Sequence, residues 1–201
     1  MIKASLDLVF LLFRVFFRLF NSIDVIGLER IPRTGPLIIV CNHLSLSDPP
    51  ALLAFTALVR RVNVMAKKEL FSIPVLGWFI LRWGAIPVDR GREGGDLGAL
   101  RGSLGALKKD GCLVIFPEGT RARGRKLPAK AGAAFLAHKS GAPVLTARIF
   151  NSDNFLKLGK ITIKYGTVRR FEPAAGADLK AAYAQFSESL MSDIFSITKE
   201  Q

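Results

Sequence analysis

Cysteine and histidine are scarce in this sequence, with two of each among 201 residues. Cys41 and Cys112 fit no paired-cysteine metal spacing and no disulfide framework, so both read as small core residues of a protein in a reducing compartment. His43 and His138 are also far apart, and no metal site is expected. No serine stands in a G-x-S-x-G elbow, which argues against a conventional serine triad. Acidic residues are few beside basic ones: 16 Asp plus Glu against 29 Lys plus Arg, a net charge of +13. Such an excess favours an anionic partner, whether nucleic acid, a phosphorylated metabolite or an acidic lipid surface. Internal repeats, low-complexity segments and linkers are missing, and the length suits one domain.

What is abundant is apolar surface. Half of the residues are hydrophobic, too many for a disordered basic tail and more than a plain nucleic-acid binder carries, which leans toward lipid. In "MIKASLDLVFLLFRVFFRLFNS" the residues Lys3, Asp7, Arg14 and Arg18 fall within about 60° on a helix, leaving a wide face of Leu, Val and Phe. Residues 4–20 give roughly 25 Å of helix against a bilayer core of about 30 Å, with two arginines inside. This helix is therefore expected to lie in the membrane interface, its basic stripe toward headgroups and its phenylalanines in the acyl region. A cleaved signal peptide fits less well, and a core helix docked on the domain is the alternative.

Past residue 22 the pattern alternates. β-branched runs predict strands at 24–28, 36–42, 61–66, 85–88, 112–116, 143–150 and 160–166, and helical spacing predicts helices at 49–59, 68–83, 96–109, 129–140 and 177–198. The fold class expected is α/β: a mixed, largely parallel sheet flanked by helices, preceded by the amphipathic membrane-associating helix. Residues 91–95 and 151–160 read as surface loops.

Polar residues gather where the strands end. After "LIIVC" comes "NHLSLSDPP", which puts His43 just past a buried strand and Asp48 immediately before Pro49. Asp48 suits a helix N-cap and Pro49 the first helical position, while His43 alone would pass for a turn histidine. Together, strand, turn and helix start can bring the carboxylate to the imidazole, as for a base held by its orienter. Cys41, two residues from His43, makes a Cys/His nucleophile a minor alternative; otherwise the base acts on a hydroxyl brought by the substrate. His138 reads as a surface or helix-terminal residue. The run "VIFPEGTRARGRK" ends another buried strand in a carboxylate, a glycine, a hydroxyl and a crowd of cations.

These residues carry a family resemblance. "NHLSLSD" resembles the H-x4-D motif of the glycerophospholipid acyltransferases, the family that contains 1-acylglycerol-3-phosphate acyltransferase. "GAIPVDR" (84–90), "FPEGTR" (116–121) and "APVL" (142–145) are similar to its second, third and fourth blocks, in the same order and spacing, over residues 36–150. The resemblance implies an O-acyltransferase of phospholipid biosynthesis in which residues 23–201 form the catalytic domain and residues 1–22 its membrane helix. His43 would be the general base and Asp48 its orienter. Arg90 and Arg121 would bind the acceptor phosphate, with Glu118, Gly119 and Thr120 beside them. Lys67 or Lys68 would contact the thioester oxygen or the substrate, and Arg123, Arg125 and Lys126 would be a solvated loop facing anionic headgroups. No bound cofactor or metal is implied. The expected partners are a lysophospholipid acceptor forming phosphatidic acid, an acyl-CoA or acyl-carrier-protein donor and anionic lipid at the cytoplasmic face of the inner membrane. Ala122, a shortened loop and Ala131 depart from the third block of many relatives, and Pro143 is the single proline of the fourth. Another lysolipid or glycerol 3-phosphate as acceptor therefore stays open, as does a non-catalytic basic binding protein; nucleic acid is not expected.

Overall fold

The computed structural model describes residues 2–89, 91, 96–122, 125 and 127–199, with side chains from residue 7 onward. Its centre is β2 (Leu37–Cys41), whose five residues are all buried. A strand covered on both faces requires such an unbroken apolar run. β2 pairs in parallel with β5 (Cys112–Ile115) on one side and β6 (Val144–Phe150) on the other. β3 (Val62–Lys67) continues the parallel set beyond β5, and β4 (Ile86–Val88) beyond β3. β7 (Thr162–Arg169) runs antiparallel to β6, and β1 (Asp24–Ile26) lies parallel to β7. The result is a mixed seven-stranded sheet in the order β1-β7-β6-β2-β5-β3-β4. Pro87 sits in β4, an edge strand, where a missing backbone donor costs least.

Helices cover both faces. α1 (Ile2–Asn21), α2 (Asp48–Thr56) and α3 (Leu76–Trp83) share one core with β2, β3 and β6. α4 (Leu97–Leu107), α5 (Gly132–Ser140) and α6 (Leu179–Ser196) enclose the other. α2 is apolar around most of its circumference because it is buried, with α1 packed on it.

Two expectations change. The helix predicted over 68–83 is broken: a 3₁₀ turn spans Lys68–Ser72 and α3 begins at Leu76. Pro74 has no N–H to continue the first turn, and Val75 turns the chain with φ 64°. The basic edge of α1 also faces differently. Arg14 donates to the Ala54 carbonyl in the last turn of α2 (2.9 Å), and the Arg18 guanidinium lies 5.8 Å from the Phe55 ring centroid. The open carbonyls at the end of α2 draw this edge onto the protein. Phe10 and Phe17 enter the core, while Leu8, Leu11, Leu12 and Leu19 stay exposed. Among the described residues no helix is long and apolar enough to cross a membrane.

The connections position the site. The chain leaves β2 through α2 on one face and reaches β3; it leaves β5 through α5 on the opposite face and reaches β6. Neighbouring strands thus send their continuations apart, which opens a crevice beyond their carboxyl ends.

Candidate active site

Two loops meet in that crevice, one after β2 and one after β5. Asn42 ends the first strand with its side chain acting as backbone: Nδ2 donates to the Ile149 carbonyl (2.9 Å) and Oδ1 accepts from the Ile149 N–H (2.8 Å). The exit of β2 is thereby fastened to β6, and His43 follows at once.

His43 Nδ1 lies 2.7 Å from Asp48 Oδ2, and both residues are buried, His43 at 7% exposure and Asp48 at 0%. The same oxygen accepts the N–H groups of Leu44 (2.6 Å) and Ser45 (2.8 Å). Three donors therefore converge on one carboxylate oxygen, which assigns the proton of the neutral imidazole to Nδ1 and the lone pair to Nε2. Asp48 is not the N-cap that its place before two prolines predicts. The cap position is Ser47, and Asp48, inside the first turn, bonds backward to the loop instead. The Phe116 ring stacks on the imidazole at 4.3 Å between centroids and 27° between planes, fixing its orientation.

The second loop grips the same histidine through its backbone. Phe116–Gly119 is a tight turn with Pro117 at its second position and a Gly119 N–H bond to the Phe116 carbonyl (2.9 Å). It directs Glu118 inward, where Oε2 accepts the His43 N–H at 2.6 Å. Three residues after Gly119, the Ala122 N–H donates to the His43 carbonyl at 2.8 Å. Burial pushes the Glu118 carboxyl up to about 7, the His43 bond opposing and the Asp48 charge adding to the rise. Glu118 thus holds the His43 backbone, and among the described residues it makes no ion pair with an arginine.

Gly119 takes φ 70°, and a Cβ there would collide with the Lys130 side chain. Lys130, which the sequence reading passed over, packs its stem against this turn and donates its N–H to the Pro117 carbonyl. Thr120 is exposed, and Arg121 is half-buried. Arg121 borders a groove of about 800 Å³ whose walls are Val9, Leu12, Phe13 and Phe16 of α1, Leu46 and Phe155. Beyond Phe116 and Gly119 lies a second cavity of about 500 Å³, lined by Met65, Leu100, Ala133 and Phe135, with Lys130 at its edge.

The remaining sequence candidates lie farther out. Lys67 and Lys68, at the end of β3, are exposed and ion-paired with Glu69 (3.4 Å) and Asp89 (2.6 Å). Arg125 is exposed, and Arg90, Arg123 and Lys126 lie outside the described residues. His138 is half-buried against Tyr183, its Nδ1 2.7 Å from the phenol oxygen. Cys41 is fully buried with its thiol on Asn42 Oδ1 (3.6 Å). Burial pushes that thiol well above its ordinary range, the charges of Asp48 and Glu118 adding to it, so it is no thiolate nucleophile. Among the described residues no group of three His, Cys, Asp or Glu is placed to hold a metal.

Residues 22–150 match the family model described as Acyltransferase. A chloroplastic 1-acyl-sn-glycerol-3-phosphate acyltransferase of Brassica napus is 33% identical over 153 residues, 75% of this chain and 44% of the relative. The enzyme of that name from Helicobacter pylori (strain J99) is 36% identical over 137 residues, 66% of this chain and 57% of its own. The one from Bacillus subtilis (strain 168) is 28% identical over 180 residues, 88% of both chains. This chain thus spans about half the length of the first two relatives. In three dimensions it is similar to the crystal structure of the 1-acyl-sn-glycerophosphate acyltransferase PlsC from Thermotoga maritima, at TM-score 0.73 and 26% identity over 99% of this chain and 82% of that one.

Proposed function

This chain belongs to the acyltransferase family, and from that premise we propose that it transfers an acyl group from a thioester donor to the free hydroxyl of a 1-acylglycerol 3-phosphate, forming phosphatidic acid. The observation that carries the proposal is the buried His43–Asp48 pair, in which Asp48 holds Nδ1, on a loop whose next residues, Ser45 and Leu46, line a groove bordered by Arg121. In this reading the acceptor's hydroxyl oxygen attacks the thioester carbonyl carbon while Nε2 takes the hydroxyl proton. The carbon–sulfur bond then breaks, and the departing thiolate takes that proton from Nε2. Asp48 stabilises the imidazolium in between. The charge that develops on the carbonyl oxygen needs donors, and Lys67 or Lys68 would supply one only on leaving its ion pair with Glu69 or Asp89.

The apolar groove beside α1 suits the acceptor's alkyl chain, and Arg121 suits its phosphate through bidentate hydrogen bonding, with Arg90 as a second ligand. The cavity behind Phe116 suits the donor's acyl chain. Acyl-CoA and acyl carrier protein both match a chain of net charge +13. The exposed leucines of α1 would rest in a bilayer interface with the groove opening toward lipid.

The test is an acceptor panel on each donor. Lysophosphatidate should support transfer. Lysophosphatidylcholine and monoacylglycerol should not, and Arg121→Ala should raise the KM for lysophosphatidate by about tenfold or more while changing kcat less. Equal rates with a phosphate-free acceptor would instead favour an acyltransferase of the same chemistry acting on another amphiphile, and faster transfer to glycerol 3-phosphate would reassign the acceptor to that compound.

A further inference from the structure

α3 carries apolar side chains on two opposite sides. Gly77, Ile80 and Trp83 are buried. Trp78 and Leu81 are each 57% exposed, and Val75, just before the helix, is 80% exposed. Spaced three apart, these three residues form one outward stripe, and Ile73 in the preceding turn extends it. A helix packed on a protein in water ordinarily presents polar residues on that side. Here Arg82 is the single charged residue of the helix, and its guanidinium lies 4.6 Å from the Trp78 ring centroid.

The outward stripe does not stand apart from α1. Trp83 packs edge-on against Phe10 of α1 at 4.7 Å, and Phe79 packs against Trp83 at 5.3 Å. The two helices therefore meet through Phe10 and Trp83 on one face of the sheet, and both turn leucines outward. Cations edge the α3 side: Arg82 over Trp78, and Arg61, exposed, which donates to the Arg82 carbonyl. Tryptophan with arginine beside exposed aliphatic residues is the composition of a bilayer's headgroup boundary, where the ring sits at headgroup depth and the guanidinium reaches phosphate. Val75 adds a backbone observation: a β-branched residue at φ 64° is an outlier, and no burial of its own side chain offsets the strain.

We propose that the turn before α3 and its outward stripe, Ile73, Val75, Trp78 and Leu81, form a second membrane-contact element, seated with α1 in an anionic lipid surface. This rests on the reading of α1 as an interfacial helix. Two contacts, in place of one, would set the tilt of the domain on the bilayer and keep the groove facing lipid.

The two tryptophans, Trp78 and Trp83, make the test direct. Trp83→Phe leaves Trp78 as the only tryptophan of the chain, excited selectively at about 295 nm. On mixing with phosphatidylcholine vesicles containing phosphatidylglycerol, Trp78 emission should shift to the blue and be quenched by acyl-brominated lipid. In flotation, Trp78→Glu combined with Leu81→Glu should weaken partitioning by about tenfold or more, with circular dichroism and thermal unfolding unchanged because both residues are exposed. Leu11→Glu with Leu19→Glu in α1 serves as the comparison. Vesicle-bound protein whose Trp78 emission stays that of a water-exposed indole overturns the second contact and leaves the α1 reading standing. So does binding lost in the α1 variant but unaltered in the α3 variant. Failure of the unmutated chain to float with vesicles overturns both.

Discussion

At the scale of single residues, the site depends on which atom of His43 is left without a partner. Asp48 Oδ2 holds Nδ1, and among the described residues no hydrogen bond is made by Nε2. Asp48→Asn replaces an oxygen that accepts three hydrogen bonds with an amide that can present its own donor to Nδ1 and favour the other tautomer. Its kcat should fall by about 10²- to 10⁴-fold with a smaller change in KM, measured by steady-state kinetics on either donor. Glu118 acts on the same ring from behind, through the backbone. Its folded-state carboxyl titrates at about 7, above the ordinary carboxylate range, because it is buried. The folded form therefore holds a proton that the unfolded chain releases earlier, and this group's contribution to stability is lost as pH rises from its unfolded value toward 7. Glu118→Gln removes that loss. Its Tm relative to the unmutated chain should climb over this window and level off above it; a difference that stays constant with pH would mean that Glu118 is not titrating there.

At the scale of elements, the strand exits decide the geometry. Asn42 bonds both backbone groups of Ile149, so Asn42→Leu leaves a buried donor and a buried acceptor unpaired. A stability loss of roughly 2–4 kcal/mol is expected in denaturant unfolding, together with reduced activity, since His43 follows directly. Much at this scale could be read from the chain. The unbroken run at residues 37–41 announced a central strand, and the strand, turn and helix start after it announced the His43–Asp48 contact. Glu118 stood out in the sequence but its partner was not legible, because its bond to His43 spans 75 positions and exists only where β2 and β5 are neighbours. Helical spacing of apolar residues across 68–83 hid the break at Pro74 and Val75, since apolar residues run through both broken halves. The basic edge of α1 was visible as a stripe, but only the position of α2 determines that Arg14 points at protein.

At the scale of the whole molecule, one sheet separates two helical layers, and the crevice at its carboxyl edge opens between an α1-lined groove and a cavity reaching toward α4 and α5. The groove is lined by Ser45 and Leu46 of the His43 loop and the cavity by Phe116, which stacks on the imidazole; on the proposed reading two substrates would approach from these two sides, with no covalent acyl-enzyme required. Cys41 is sealed beneath the loop, and on the proposed reading His43 would work on the acceptor's hydroxyl. Anionic substrates and lipid would also meet a chain of net charge +13, and vesicle binding should weaken as salt screens that charge. The most direct test is thiol release in the first turnover, with enzyme at a concentration comparable to the acyl donor, in the unmutated chain and in His43→Ala. Direct transfer predicts no thiol from the donor alone, prompt release once lysophosphatidate is added, and a loss of about 10²-fold or more in His43→Ala. A burst of thiol equal to the enzyme concentration before any acceptor is present, or undiminished turnover in His43→Ala, would contradict it.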